Sequence, residues 1–196
     1  MGALGDCELV GPGFLGQPMN TLTTLPFLVL GLWLAFKDRS RWVGMALFAA
    51  GAGSFAFHGP MPAWGEWAHD VTLAWLIAAI GGLGTRWEGW SRLPGLVTFA
   101  VLFAAVPIAA DPVAVALAVI AGGSVLFRRP PAKELMPLGL LVVLAILGRL
   151  GSTGGPLCDP NSIWQLHGLW HVGAAVAVTW WTIARHDADP PGLSQQ

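Results

Sequence analysis

Charge is scarce in this chain. Only 11% of its 196 residues are Asp, Glu, Lys or Arg, and 55% are hydrophobic. A soluble domain normally carries about 25% charged residues. A surface this poor in charge cannot be covered against water, which makes lipid the natural solvent. The formal net charge is −1 and no Lys/Arg run forms a stripe, which excludes a phosphate-tracking nucleic-acid protein. The start of the chain lacks a basic segment followed by an apolar run. No cleavable signal peptide is therefore expected, and the first helix is expected to insert the chain. Lysine is limited to Lys37 and Lys133, both outside the apolar runs. That leaves no mid-span Schiff-base lysine and argues against a retinal protein.

What is present in abundance is apolar sequence of membrane-crossing length. Runs near 20–36, 42–60, 67–85, 93–110, 112–127, 135–151 and 163–184 predict seven transmembrane helices, an all-α polytopic fold. The fourth and fifth are separated only by "ADP" (110–112). Pro94, Pro112 and Pro137 fall near helix starts, where a missing N–H costs little. There is no internal repeat and no second domain: residues 1–185 form the helical domain, and the polar, proline-bearing tail 186–196 is expected to be disordered.

Orientation follows from the basic residues. Lys37, Arg39, Arg41, Arg86, Arg92, Arg128, Arg129, Lys133 and Arg185 fall on one side of the seven spans, and only Arg149 falls toward the other. The positive-inside rule makes the first side cytoplasmic, with the N-terminus outside and the C-terminus inside. Tryptophans near span ends, such as Trp42, Trp64, Trp67, Trp164 and Trp180, fit an interfacial belt.

With that topology, polar residues from three spans reach one depth near the outer surface. The second span ends with Ser54 and His58, the third begins with His69 and Asp70, and the seventh begins with His167 and His171. Ionisable groups at such depth usually face the bundle interior with a partner. Each has a plain structural reading. The imidazoles could hydrogen-bond one another, Asp70 could cap a helix, and Ser54 in "GAGSFA" could be a small packing residue. Taken together they describe something else. Histidines at i and i+4 share a helical face, and three imidazoles with an open fourth position describe a catalytic zinc site. His58, His167 and His171 are the expected ligands, Asp70 the general base and Ser54 the oxyanion donor. His69 is a spare candidate ligand, but adjacent helical residues diverge by about 100°, so only one of His69 and Asp70 should face the site squarely.

These residues, in this order, resemble the alkaline ceramidase family of seven-span membrane hydrolases, part of a group that includes the adiponectin and progestin receptors. The matching pieces are "DCE" (6–8), "QPMNT" (17–21), "SFAFH" (54–58), Asp70 and "QLHGLWH" (165–171), whereas spans four to six match only in hydrophobicity and length. The resemblance implies zinc on the three histidines and hydrolysis of a ceramide-like amide to a sphingoid base and a fatty acid. The short loops and small size point to a bacterial member, in an inner membrane with the site toward the periplasm. Eukaryotic members also carry a calcium site of acidic residues near the N-terminus. Here Asp6 and Glu8 are present, but Gln17 stands where those members have glutamate, leaving fewer carboxylates for calcium.

Cys7 and Cys158 both fall on the outer side, where an oxidising compartment permits either a bridge or two free thiols. Two rival functions remain open at this point. A receptor-like lipid sensor would use the metal only as a structural tie, and a bis-histidine haem protein would show a Soret band.

Overall fold

The computed structural model describes residues 5–37 and 40–186. Arg39 and the expected disordered tail beyond His186 lie outside the described residues. All regular structure among those described is helical, as expected. The chain forms α1 (Pro18–Leu22), α2 (Leu25–Ala35), α3 (Arg41–His58), α4 (Gly65–Gly82), α5 (Leu93–Ala105), α6 (Ala110–Phe127), α7 (Ala132–Leu150) and α8 (Leu166–His186). The short α1 leads into α2 through a two-residue turn, so seven rods correspond to the seven apolar runs. At 1.5 Å per residue, the 21 residues of α8 extend about 30 Å.

Helix boundaries differ from the sequence reading where proline decides them. The break between the fourth and fifth runs comes at Val106, not at "ADP". Val106 precedes Pro107 and takes an extended conformation (φ −139°, ψ 75°), because a following proline disfavours the helical region. Asp111 and Pro112 instead lie in the first turn of α6, where an acidic side chain suits the helix dipole and proline loses no hydrogen bond. Pro131 caps α7 and starts it earlier than expected, so Pro137 falls inside the helix.

Packing sets the helix order. α2 lies against both α3 and α8, α3 against α4, α4 against α5 and α6, and α7 against α8. The first and last long helices, α2 and α8, are therefore neighbours. The core at these crossings includes Leu34, Leu47, Trp75, Ala175, Val178 and Trp181. Gly31 and Gly44 let α2 and α3 touch backbone to backbone, since a Cβ on either would overlap main-chain atoms of the other helix.

The outward faces are apolar. Val29, Phe36, Val101, Ile108, Val119 and Phe127 are exposed, Ile108 by 88% and Phe127 by 90%. By length and composition, two helices among the described residues are able to cross a membrane, Pro18–Ala35 and Pro107–Phe127. A buried helix of a soluble protein passes the same test. The other rods carry polar residues within their span, such as His58 in α3, Glu66 and Asp70 in α4, and Glu134 and Arg149 in α7, while α5 has only 13 residues.

Candidate metal centre

The C-terminal end of α3 and the N-terminal end of α8 meet over the N-terminal segment. His58 closes α3, and the chain then turns at Gly59, leaving two carbonyls without helical partners. They are satisfied from the N-terminal segment: Gln17 N–H donates to the His58 carbonyl at 2.8 Å, and Gly16 N–H to the Gly59 carbonyl at 2.9 Å. This stitch fixes Gln17 beneath the His58 ring. His167 and His171 stand on one face in the first two turns of α8, as their spacing requires.

The three rings converge. Centroids lie 5.1 Å apart for His58–His167, 5.2 Å for His58–His171 and 4.6 Å for His167–His171. One ring nitrogen from each is within 4.8 Å of the others, close enough to hold a single ion.

The other ring nitrogens are held from the N-terminal segment. His58 Nδ1 donates to Gln17 Oε1 at 2.7 Å, and Gln17 Nε2 in turn donates to the Glu8 carbonyl at 2.8 Å. His171 Nδ1 donates to the Asn20 carbonyl at 3.1 Å, with Thr23 Oγ1 at 3.2 Å. His167 Nδ1 is 3.5 Å from Asp6 Oδ1, and the other carboxylate oxygen is 3.9 Å from His58 Nδ1. Metal-binding histidines almost always direct their second nitrogen to a carbonyl or carboxylate in this way, which fixes the tautomer and turns Nε2 to the metal. Nε2 of His58 and of His167 is buried and makes no hydrogen bond among the described residues. A buried polar atom in that state calls for a partner, and a metal ion fits the donor set.

Of the remaining expected site residues, Ser54 sits one turn before His58 and is buried. Asp70 lies in the second turn of α4, and its Oδ1 accepts from His69 Nδ1 at 3.0 Å. The two adjacent residues thus form a pair instead of competing for the site. The His69 ring stacks on Phe57 and lies 6.2 Å from that of His58.

Sequence reading passed over the roles of Gln17, Asn20, Thr23 and Asp6 around the histidines. For Asp6, Gln17 and Asn20 the signal was the pair of matching motifs "DCE" and "QPMNT", whose contacts with residues some 40 to 160 positions away no local pattern carries; Thr23 lies outside both. Glu8 has an internal task. Its two carboxylate oxygens accept the N–H groups of Met19 and Asn20, both at 2.8 Å, capping α1 just behind Pro18. Cys7 and Cys158 are bridged, with Cα atoms 5.6 Å apart. Beside the bridge, Cys7 N–H donates to Thr153 Oγ1 at 3.0 Å and Thr153 N–H to the Gly5 carbonyl at 2.9 Å. Asp6 is clasped between these contacts, which is what holds its carboxylate at the histidines. No protein-family model, no curated protein and no solved structure matches this chain.

Proposed function

We propose that this chain is a seven-helix membrane protein that hydrolyses the amide bond of ceramide-like lipids, using a zinc ion held by His58, His167 and His171. The observation that carries the reading is the set of three converging imidazoles, two of them with buried, unbonded Nε2 atoms. Three imidazoles with an open fourth position are the donor set of catalytic zinc. When bound, zinc would supply Lewis acidity and bring the pKa of a water to about 7.

The chain's own residues do the rest. Asp70 takes the proton from the attacking water, helped by the His69 ring it orients, and passes it to the leaving amine as the C–N bond breaks. One water is consumed, and a fatty acid and a sphingoid base are released. Ser54, one turn before His58, donates its hydroxyl to the developing oxyanion. The membrane reading is supported by the low charge, the exposed apolar outer faces and the basic residues gathered at one end of the rods. It places the metal centre at the outer, periplasmic end.

A haem reading fits less well, because rings 4.6–5.2 Å apart around one point leave no slot for a porphyrin plane. The sensor reading draws on the way the three ligands tie α3 to α8, a task a purely structural ion would also perform.

The test is metal analysis of the purified protein together with hydrolysis of short-chain ceramides in detergent or liposomes. About one zinc per chain is expected, lost in the double variant His167→Ala/His171→Ala. Full zinc occupancy in that variant would remove the ligand set. Zinc binding without turnover of any lipid amide would leave the sensor.

A further inference from the structure

A metal on the three histidines would give Nε2 of His58 and of His167 a partner, but it leaves one buried group beside them unexplained. Asn20 is fully buried, and neither its Oδ1 nor its Nδ2 makes a hydrogen bond among the described residues. The main chain of the same residue is engaged at both ends. Its N–H donates to Glu8 Oε2 at 2.8 Å, and its carbonyl accepts from His171 Nδ1 at 3.1 Å. The backbone is therefore held from two sides while the side chain holds nothing.

The neighbours along the chain show where that side chain stands. Asn20 belongs to α1, which packs on both α3 and α8. Gln17 lies against His58, and Thr23 lies against Gly168 and His171. Asn20 sits between those two contacts, in the same closed layer as the ligands: His58 is fully buried and His171 nearly so. A buried donor or acceptor left without a partner is costlier than an apolar side chain of the same shape. Leucine is close to asparagine in size, is a better helix former and would remove that cost. An amide kept here calls for a partner from outside the chain. Neither end is bonded, so nothing in the protein chooses between its two flipped orientations, and the guest does. A primary amide presents an acceptor and a donor side by side. Its complement is a guest with a donor and an acceptor side by side, and an amide N–H next to a hydroxyl on the neighbouring carbon is such a pair.

We infer that Asn20 recognises the lipid amide, with Oδ1 accepting the amide N–H and Nδ2 donating to the oxygen of the adjacent hydroxyl. The inference rests on the lipid-amide reading above and names what makes that site prefer an amide to an ester of the same chain. An ester has no N–H to give and leaves Oδ1 buried and unpaired. Asn20 is assigned recognition alone, and the proton transfers stay with Asp70.

The experiment uses the purified full chain in detergent and reads binding, not turnover. In native mass spectrometry a short-chain ceramide competes with its ester analogue and with its N-methylated amide. Both analogues keep the chains, the carbonyl and the hydroxyl but lack the N–H. Wild-type protein should retain the ceramide at least about tenfold better than either analogue. In Asn20→Leu that preference should vanish, while zinc content stays unchanged because the contact to His171 comes from the main chain. The melting temperature of this variant without lipid should rise by roughly 2–4 °C. Asn20→Ala carries the same binding test if the leucine variant does not fold. Wild-type protein that retains the three probes equally, or none, overturns the inference, as does a preference that survives in the variants. A preference lost together with a lower melting temperature in Asn20→Leu overturns it too, because the amide then has a structural partner such as a trapped water. Protein that discriminates on the N–H but cleaves no amide keeps Asn20 as a recognition group and removes the hydrolase reading, so the two fail separately.

Discussion

At the scale of single residues, the proposed reading separates groups that would hold a metal from groups that would move a proton. Gln17 accepts from His58 Nδ1 at 2.7 Å and aims the other nitrogen. Gln17→Leu should therefore weaken metal binding about 10–100-fold while leaving the helices intact, as read by competition with a chromogenic chelator. Unchanged affinity would mean that the hydrogen bond does not orient the ligand. Asp70→Asn should keep both metal and fold but lose about 10²–10⁴-fold in turnover, because an amide of similar size cannot take the proton. The hydrogen bond between Asp70 and His69 adds a sharper expectation. If the pair works as one unit, the double variant Asp70→Asn/His69→Ala should be no slower than the slower single variant, whereas additive losses would separate their roles. Ser54→Ala should cost about 10²–10³-fold at most if its hydroxyl meets the oxyanion, and almost nothing if the residue only packs.

At the scale of elements, two devices position the ligands. Glu8 caps α1 through two N–H groups that have no helical partner. Glu8→Ala should cost about 1–2 kcal/mol of stability, seen as a lower melting temperature, and should loosen the metal by freeing the segment that holds Gln17 and Asn20. A lower melting temperature with metal affinity untouched would show that α1 is not what orients the rings. The second device is the glycine contact between α2 and α3. Gly44→Leu should cost about 1–3 kcal/mol by forcing the helices apart. Most of this level was legible in the sequence. The seven apolar runs became seven rods, and the i, i+4 histidines fell on one face, because both patterns are local. The break at Val106 was misplaced because "ADP" looked like the stronger interruption, whereas the geometry imposed by Pro107 decides it. The ring of acceptors around the histidines was not legible. Asp6, Gln17 and Asn20 show no periodicity, and their partners lie far along the chain.

At the scale of the whole molecule, the Cys7–Cys158 bridge closes a loop spanning 151 residues. Reduction should cost up to roughly 4–5 kcal/mol on the chain-entropy view and release Asp6 from the histidines. The expected result is a lower melting temperature and partial loss of metal under reductant, with a Cys7→Ser/Cys158→Ser variant showing those same lowered values whether or not reductant is present. Melting and metal content indifferent to reductant would make the bridge incidental. Sequence left bridge and free thiols equally open, since it cannot give the distance between two loops. Topology is tested on the same scale. A reporter fused after Gln196 should read cytoplasmic, and a cysteine placed at Pro156 should label from outside. The reverse pattern would move the metal centre to the inner face.

The pairing of the first and last long helices also sets a schedule for synthesis. His58 is made early, whereas His167, His171 and Cys158, the partner of Cys7, follow at least 100 residues later. A nascent chain that stops before α8 holds one imidazole of the three, too few to hold a metal ion with useful strength. On the proposed reading, activity would switch on only after α8 has docked against α2.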